Sequence, residues 1–550
     1  MGTPQSTMRA RGTTRCPPAL EQVMTAEARV DLPTASLDEA YARVVHALGE
    51  QAVLTDSDSV REFHDPYEGA SATEFQPSFV VQPAGVEEIR QTLRIAAECE
   101  VPVWTSSTGR NYGYGGSAPV VNGSIVLNLR RMNRILEIDE QGAFALVEPG
   151  VRFFDLYSEL KQRGLRLWMS VPDLGWGSIV GNTLEHGYGY TVYGDHASAV
   201  CGMEVVLASG EIVRTGLGAM DDSPLWQRHP RGFGPALDGM FMQSNFGVVT
   251  KMGIWLMPEP ETCTTGSVIC HRDEDIADLV DALSPLVLDG TIQGHPLITS
   301  SPEPDGGRAT PDQDTDGLTT QQKLSATLPP GRWDARVAFY GRENVVRAQE
   351  EALREAVAHL PEVTVDLRSY PGDVAADDVH PLDLVPAGIP NMYLLELMQK
   401  HFGDRVGHLD FSPVIPFTGE AAARHERMVQ HILAEEGLVG AFGWIANPRS
   451  LVGACMVFFD IDDEHERRAA HRAVYRMCDR AAEWGWSEYR AHPALVDKVT
   501  ANFSFGDHAL SRVYTTLKDA LDPAGVLSPG NHGIWPSSPA QHQDSRKGTA

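Results

Sequence analysis

The chain has 550 residues, of which 42% are hydrophobic and 22% charged, a balance typical of a globular protein with two or three domains. Its formal net charge of −29 argues against nucleic acid or an anionic membrane surface as a partner, because both would repel it. There is no run of 18 apolar residues, and no apolar segment follows Arg9, Arg11 and Arg15, so neither a membrane span nor a secretory signal is predicted.

The first 265 residues alternate short apolar strands with amphipathic helices. Residues 77–83 predict a strand closed by proline, and apolar residues at helical spacing predict a helix over Val86–Cys99. The further predicted elements are a strand at 101–104, one ending near 150, a helix at 153–164 and a hairpin at 203–215. This pattern favours one nucleotide-binding α+β domain.

The second half of the chain has the same mixed character. Residues 300–317 are rich in Pro, Asp, Gly and Thr and predict an exposed loop. Helices at 344–359 and 420–436 alternate with strands such as 454–460, which predicts a second α+β domain.

Cysteines and histidines give no metal-binding pattern. The seven cysteines are scattered without a C-x-x-C pair, so we expect reduced thiols, no metal site and a cytoplasmic location. His425 and His431 lie six residues apart on one predicted helix, and we predict that both belong to a solvated helix face.

A glycine-rich loop, S-T-G-R-N-Y-G-Y-G-G at residues 107–116, lies between two predicted strands. Glycines at this density allow backbone conformations closed to other residues and can aim consecutive N–H groups at an anion. The loop is therefore a candidate pyrophosphate cradle, although it contains neither G-x-G-x-x-G opening a helix nor G-x-x-x-x-G-K-[ST]. Taken alone, it is equally well explained as a long turn between core strands.

Six more motifs follow the loop in order. They are V-P-D-L-G-W-G-S-I-V-G-N at 171–182, H-G-Y-G-Y-T-V-Y-G-D-H at 186–196, S-N-F-G-V-V-T-K-M-G at 244–253, H-L-D-F-S-P at 408–413, W-S-E-Y-R-A-H at 486–492 and L-D-P-A-G-V-L-S-P-G at 521–530. In order and spacing they closely resemble the vanillyl-alcohol oxidase family of FAD enzymes, above all its 4-phenol oxidase branch. The resemblance covers residues 63–536 and is loosest at 265–395.

The resemblance implies an α+β, two-domain FAD-binding fold of the vanillyl-alcohol oxidase/p-cresol methylhydroxylase type with a substrate cap domain. The implied FAD-binding domain comprises 37–264 and 495–536 and the cap 265–494, with a leader at 1–36 and a tail at 537–550. A homodimer or higher homo-oligomer is also expected. The residues implied to contact FAD are Ser107, Gly109, Arg110, Asn111, Gly113, Gly115, Pro172, Ser178, Asn182, Gly187, Tyr190, Gly194, Asp195 and Val249.

His408 matches the histidine that is bonded covalently to the flavin in this branch. On the residues alone, a strand-end histidine with a backbone partner is the simpler interpretation. The sequence departs from the family at Tyr67, where the oxidase has a histidine that supports the tether, and the neighbouring His64 is a candidate substitute.

Tyr114, Tyr489 and Arg490 match the residues that bind phenolate in the family. A phenol, with a pKa of about 10, is a poor hydride donor, and two hydroxyl donors with a guanidinium would favour the better-donating phenolate. Asp173 matches an aspartate near the flavin that can stabilise a quinone methide and activate water, although an aspartate after a proline also fits a turn.

Asp410 and Tyr188 depart from the family pattern and are assigned to the substrate pocket. Strand alternation places Asp410 on the same face as His408, so we expect a second carboxylate near Asp173. Such a cavity would be more polar and would prefer 4-hydroxybenzyl alcohols to 4-alkyl- or 4-allylphenols. The alternative is that Asp410 turns away and pairs with Arg405.

The resemblance therefore implies an FAD-dependent oxidase of para-substituted phenols, with a small phenolic substrate and O2 as partners and hydrogen peroxide as a product. Three alternatives stay open: a cytochrome-linked 4-alkylphenol dehydrogenase, an FAD-dependent 2-hydroxy acid oxidoreductase, and an inactive flavin-binding module. The histidine at 408 favours the oxidase over the cytochrome-linked enzyme, whose family type member has a tyrosine tether. The phenolate-binding residues argue against the other two.

Overall fold

The computed structural model describes residues 34–67, 74–300, 318–327, 332–403 and 405–537. Most of the predicted leader, nearly all of the predicted tail and residues 301–317 of the predicted loop lie outside these residues. None of the helices within them is both long and apolar enough to cross a membrane.

The first part of the chain builds a four-stranded sheet from β1 (Val53–Leu54), β2 (Phe79–Val81), β3 (Val103–Ser106) and β4 (Ile125–Asn128), in the order β1-β2-β4-β3. Strands β2, β3 and β4 are parallel, and β1 pairs antiparallel with β2. The helix over Val86–Cys99 connects β2 to β3 and ends where the sequence predicts, because Glu100 adopts a left-handed conformation that stops it. Its apolar face, which includes Ile89, Leu93 and Ala96, is buried against the sheet.

A five-stranded antiparallel sheet in the order β5-β6-β10-β8-β9 follows. The predicted hairpin is confirmed, since Glu204 lies opposite Arg214 in the β8–β9 pair. The elements of this first part are β1 (Val53–Leu54), β2 (Phe79–Val81), β3 (Val103–Ser106), β4 (Ile125–Asn128), β5 (Ile135–Asp139), β6 (Phe144–Val147), β7 (Leu167–Trp168), β8 (Val200–Val206), β9 (Ile212–Arg214), β10 (Val248–Trp255) and β11 (Met257–Pro258), with helices α1 (Thr34–Leu48), α2 (Ser57–Arg61), α3 (Val86–Cys99), α4 (Phe153–Gln162) and α5 (Ile179–Leu184).

The second part is organised by an eight-stranded antiparallel sheet, β15-β12-β14-β13-β19-β20-β17-β22, and a three-stranded sheet, β16-β21-β18. Its strands are β12 (Thr262–Cys270), β13 (Leu297–Ser300), β14 (Trp333–Gly341), β15 (Thr364–Pro371), β16 (Val406–Phe411), β17 (Pro413–Pro416), β18 (Gly440–Ala441), β19 (Gly443–Ala446), β20 (Ser450–Gly453), β21 (Cys455–Asp460) and β22 (Ser487–Glu488). Its helices and those of the C-terminal return are α6 (Ile276–Leu288), α7 (Thr320–Thr327), α8 (Glu343–Val357), α9 (Tyr393–Phe402), α10 (Gly419–Glu436), α11 (Glu464–Glu483), α12 (Val496–Ala501) and α13 (Phe505–Leu521).

One prediction about α10 is wrong. His425 is fully buried, with its ring stacked on Phe411 at a centroid distance of 5.7 Å, and burial lowers the pKa of the imidazole to about 3. Only His431 lies on the solvated face, where it pairs with Glu435. The two histidines six residues apart therefore point to opposite sides of the helix, one into the core and one to water.

Candidate active site

A cavity of about 440 Å³ lies where the glycine-rich loop, α5 and β16 meet. Its wall includes Tyr114 from the loop, Asn182 from α5 and His408 from β16. Tyr489 and Arg490, directly after β22, complete the wall. Residues far apart in sequence are thus brought to one place by both groups of sheets.

The glycine-rich loop has the backbone that its composition predicts. Gly109, Gly113, Gly115 and Gly116 all have positive φ values between 59° and 87°. At Gly113 a side chain would also collide with the site, since a Cβ there would lie 2.5 Å from Asp410 Oδ2 and 2.7 Å from His408 Cε1. The glycine is therefore required both by the turn and by the close approach of β16.

Several buried polar atoms on the cavity wall lack a hydrogen-bond partner among the described residues. They are Thr105 Oγ1, Trp176 Nε1, Ser244 Oγ and Asn245 Oδ1. Buried polar groups are normally satisfied, so these atoms indicate that a polar ligand belongs in the cavity. Together with the glycine-rich loop, they fit the extended polar and aromatic surface of FAD.

Most of the residues predicted to contact FAD lie on this wall. They are Ser107, Gly109, Arg110, Asn111, Pro172, Ser178, Asn182, Tyr190 and Val249. Gly113 adjoins the wall through Asp410, and Gly115 packs against Pro493. Gly187, Gly194 and Asp195 lie behind the wall, where the N–H of Gly187 bonds to Asn182 and the Asp195 carboxylate caps a short helix at His196–Ala199.

His408 and Asp410 lie on the same face of β16, as strand alternation predicts, and they are also in direct contact. Their Nδ1 and Oδ1 atoms are 2.7 Å apart, and both side chains are nearly buried. The ring of Tyr67 packs on His408 with a centroid distance of 4.9 Å. Asp410 does not pair with Arg405, which instead bonds to Asp460.

The predicted phenolate-binding residues come together. The guanidinium carbon of Arg490 is 5.1 Å from the ring centroid of Tyr489 and 5.6 Å from that of Tyr114. The Arg490 Nε–H donates to the carbonyl oxygen of Glu185 at 2.5 Å, which fixes the direction of the guanidinium. Burial raises the pKa of both tyrosines, so both hydroxyls keep their protons at neutral pH.

Asp173 lies in the cavity wall and is held by two donors. The Tyr190 hydroxyl donates to its Oδ2, and Arg336 Nη2 donates to its Oδ1 at 3.0 Å. The guanidinium of Arg336 also lies 4.1 Å from the ring centroid of Tyr190. Burial alone would lower the pKa of Arg336, but Asp173 raises it above its usual value, so a cation stands beside this carboxylate.

Glu488 supports the phenolate-binding residues indirectly, through Ser412. Its Oε2 accepts the N–H of Ser412 at 2.5 Å, and the Ser412 side chain bonds to the Tyr114 hydroxyl. Burial raises the pKa of Glu488 to about 8, and the negative charge of Asp410 adds to this effect. A carboxylic acid that is mostly protonated at neutral pH therefore supports Ser412 and, through it, Tyr114.

Tyr188 lies on the cavity wall. Its hydroxyl accepts from Asn447 Nδ2 at 3.2 Å, and its ring lies 6.0 Å from that of Tyr489 and 5.7 Å from that of His295. Tyr188, which departs from the family pattern, thus lines the cavity beside Tyr489 and is held there by Asn447.

Sequence reasoning missed Arg336 and Ser412. Arg336 comes from the loosely matched part of the chain, although Asp334 and Arg336 alternate with buried Trp333 and Ala335 along β14. That alternation could have indicated a polar face on this strand. Ser412 follows Asp410 by two residues and could have been assigned to the same face by the same rule.

Comparison with known proteins agrees with this geometry. Residues 77–216 match the FAD binding domain, and residues 424–532 match the C-terminal domain of FAD linked oxidases. Over 500 residues the chain is 32% identical to the 4-cresol dehydrogenase (hydroxylating) flavoprotein subunit of Pseudomonas putida, covering 88% of this chain and 94% of that protein. It is 30% identical over 554 residues to the 1′-carboxy-chondrochloren decarboxylase of Chondromyces crocatus, covering 92% and 99%.

The structure of 4-ethylphenol oxidase from Gulosibacter chungangensis is similar throughout. It is 32% identical, covers 92% of this chain and 98% of that chain, and has a TM-score of 0.82. The predicted two-domain FAD-binding fold is confirmed by this likeness. The chain belongs to the vanillyl-alcohol oxidase/p-cresol methylhydroxylase family of FAD-dependent oxidoreductases, in its 4-phenol branch.

Proposed function

We propose that the protein is an FAD-dependent oxidase of para-substituted phenols: 4-hydroxybenzyl alcohols and 4-alkyl- or 4-allylphenols. The observation that carries this proposal is the convergence of Tyr114, Tyr489 and Arg490 on a cavity that also contains Asp173. Relatives named for 4-cresol and 4-ethylphenol support the same substrate class.

The two tyrosines and the arginine stabilise the phenolate form of the substrate. Both tyrosine hydroxyls are protonated donors, and the Arg490 guanidinium supplies a positive charge within the same cluster. Hydrogen bonds to an ionised oxygen in a nearly buried site favour the anion over the neutral phenol. The phenolate is the better hydride donor because its negative charge is delocalised toward the para carbon.

Bound FAD would accept the hydride from the benzylic carbon of the substrate. Asp173 then accepts the proton of an incoming water or of a benzylic hydroxyl. Its two oxygens each already accept one hydrogen bond, from Tyr190 and Arg336, which fixes the orientation of the carboxylate and leaves each oxygen a further lone pair. Water addition gives an alcohol from an alkylphenol, and an alcohol substrate gives an aldehyde.

The flavin tether and the electron acceptor are part of the same proposal. His408 on the cavity wall would carry FAD through a covalent bond, and O2 would take the electrons and give hydrogen peroxide. A cytochrome-linked dehydrogenase is the second candidate, favoured by the match over 94% of the flavoprotein subunit of 4-cresol dehydrogenase.

Anaerobic mixing of the purified protein with vanillyl alcohol, 4-ethylphenol or D-lactate, followed by air, tests the proposal. We expect bleaching of the flavin absorbance by the two phenols and not by D-lactate, then rapid return of the absorbance with hydrogen peroxide released. Return of the absorbance only after addition of a cytochrome or a one-electron dye would favour the dehydrogenase. Reduction by D-lactate alone, or by none of the three, would contradict the proposal.

A further inference from the structure

His408 and Asp410 form a close and nearly buried pair on the cavity wall. The two residues lie on one face of β16, and the N–H of Asp410 donates to the carbonyl oxygen of Gly113 at 3.2 Å. Only 10% of the His408 side chain and 13% of the Asp410 side chain are exposed. The backbone of Asp410 is therefore held against the glycine-rich loop, and its carboxylate contacts the imidazole of His408.

An imidazole that donates Nδ1–H to a carboxylate has its tautomer fixed. The proton stays on Nδ1, and Nε2 is left with a free lone pair. A carboxylate in this position also stabilises positive charge that develops on the ring when Nε2 forms a new bond. Asp410 at 2.7 Å meets both requirements for His408.

We propose that Asp410 is a positioning residue for attachment of the flavin to His408, an inference that depends on the tether proposed above. Nε2 forms a bond to the flavin 8α carbon, which gives up one proton. Two electrons are left on the flavin, and dioxygen takes them up with two protons as hydrogen peroxide. Asp410 holds the Nδ1 proton throughout and balances the charge of the alkylated ring.

Other neighbours of His408 do not supply this function. Burial, with the nearby charge of Asp410, raises the pKa of Tyr67 far above its usual value, so Tyr67 stays neutral and offers only its ring face. The other ring against His408 is that of Phe458, at a centroid distance of 6.4 Å, and this ring carries no hydrogen-bonding group. Asp410 thus takes over the support that a histidine at position 67 gives in the oxidase the sequence resembles.

The test compares the full-length wild type with D410A and D410N, purified as expressed and incubated in air with excess FAD. We measure non-covalent FAD by absorbance of the native protein, and covalent FAD from the acid pellet and from the mass of the peptide that contains His408. We expect wild type to keep its flavin in the pellet and D410A to bind FAD but attach it on the order of 100-fold more slowly. Formate should restore attachment in D410A by filling the vacated carboxylate position.

The control variant is D462A, because Asp462 is 60% exposed and pairs with Arg405 at the edge of the same sheet. It should attach FAD like wild type. If D410A binds no FAD, D410N decides the outcome, since it fills the same volume without the charge: slower attachment in D410N supports the proposal, and attachment at the wild-type rate overturns it.

Two further results separate this inference from the tether itself. Complete release of FAD from the wild type by acid would show that there is no covalent bond to His408, and it would contradict both the proposed tether and the proposed role of Asp410. A wild type and D410A that attach FAD equally fast leave the tether standing and overturn the role of Asp410. The role of Asp410 in attachment is also overturned if D410A changes only the ratio of the flavin reduction rates with vanillyl alcohol and 4-ethylphenol. Asp410 is then a substrate contact.

Discussion

Replacing Glu488 by Gln should remove a pH dependence of stability that is built into the site. Burial raises the pKa of this carboxyl from 4.5 to about 8. The unfolded chain ionises Glu488 above about pH 4.5, whereas the folded protein keeps the proton until about pH 8. The stabilising contribution of the protonated side chain is therefore complete below pH 4.5 and is lost as the pH rises through about 8.

The size of the change in the free energy of unfolding follows from the difference between the folded and unfolded pKa of Glu488. One pKa unit corresponds to about 1.4 kcal/mol, so the free energy of unfolding of the wild type falls by roughly 4–5 kcal/mol relative to E488Q across this window. The two proteins should be similarly stable near about pH 5, because glutamine resembles the neutral acid and keeps an acceptor for the N–H of Ser412. E488Q should become the more stable protein as the pH rises.

The assay is the apparent Tm of the FAD-loaded proteins from about pH 5 to about pH 9, read as the difference between wild type and E488Q. All other titrating groups are common to both proteins and cancel in this difference. Glu483→Gln is the matched control, since Glu483 is 56% exposed and pairs with Arg480 on α11. A difference in Tm between wild type and E488Q that does not change with pH would contradict the raised pKa of Glu488, because this carboxyl would then ionise as it does in water.

The remaining predictions concern other parts of the site. Tyr489→Phe should weaken 4-ethylphenol binding by about 1.5–3 kcal/mol, roughly 10- to 150-fold in Kd; an unchanged Kd in a titration of the flavin spectrum would remove this hydroxyl from the phenolate site. Arg336→Met should leave Asp173 without its cation, slow flavin reduction in stopped-flow mixing, and cost about 1–3 kcal/mol of stability; unaltered reduction would make the pair purely structural. Gly113→Ala adds a Cβ 2.5 Å from Asp410 at a φ of 79° and should lower the covalent flavin fraction in the acid pellet; a wild-type fraction would show that β16 yields to the added methyl group.

Local pattern predicts much of the fold. The helix over Val86–Cys99 and the hairpin of β8 and β9 were predictable because their apolar spacing and turn residues act over a few positions. The shared face of His408 and Asp410 was predictable for the same reason, since it depends only on alternation along one strand, whereas the bond between the two side chains is known from the structure alone.

Features that depend on the packing of distant elements were not predictable. Arg336 reaches Asp173 because β14 of the second group of sheets lies beside the loop at 171–182, a relation that no local pattern encodes. The burial of His425 likewise depends on Phe411 of β16 lying against α10. In both cases tertiary packing decides which polar side chains face a neighbour and which face water.

Anaerobic stopped-flow reduction by 4-ethylphenol and by its methyl ether, 4-ethylanisole, shows whether the phenolate is the form of the substrate that reduces the flavin. The two compounds share the ring and the benzylic carbon, but only the phenol can become the anion that Tyr114, Tyr489 and Arg490 would stabilise. We expect fast bleaching of the flavin by 4-ethylphenol and none by the ether. Comparable reduction by both compounds would contradict this expectation.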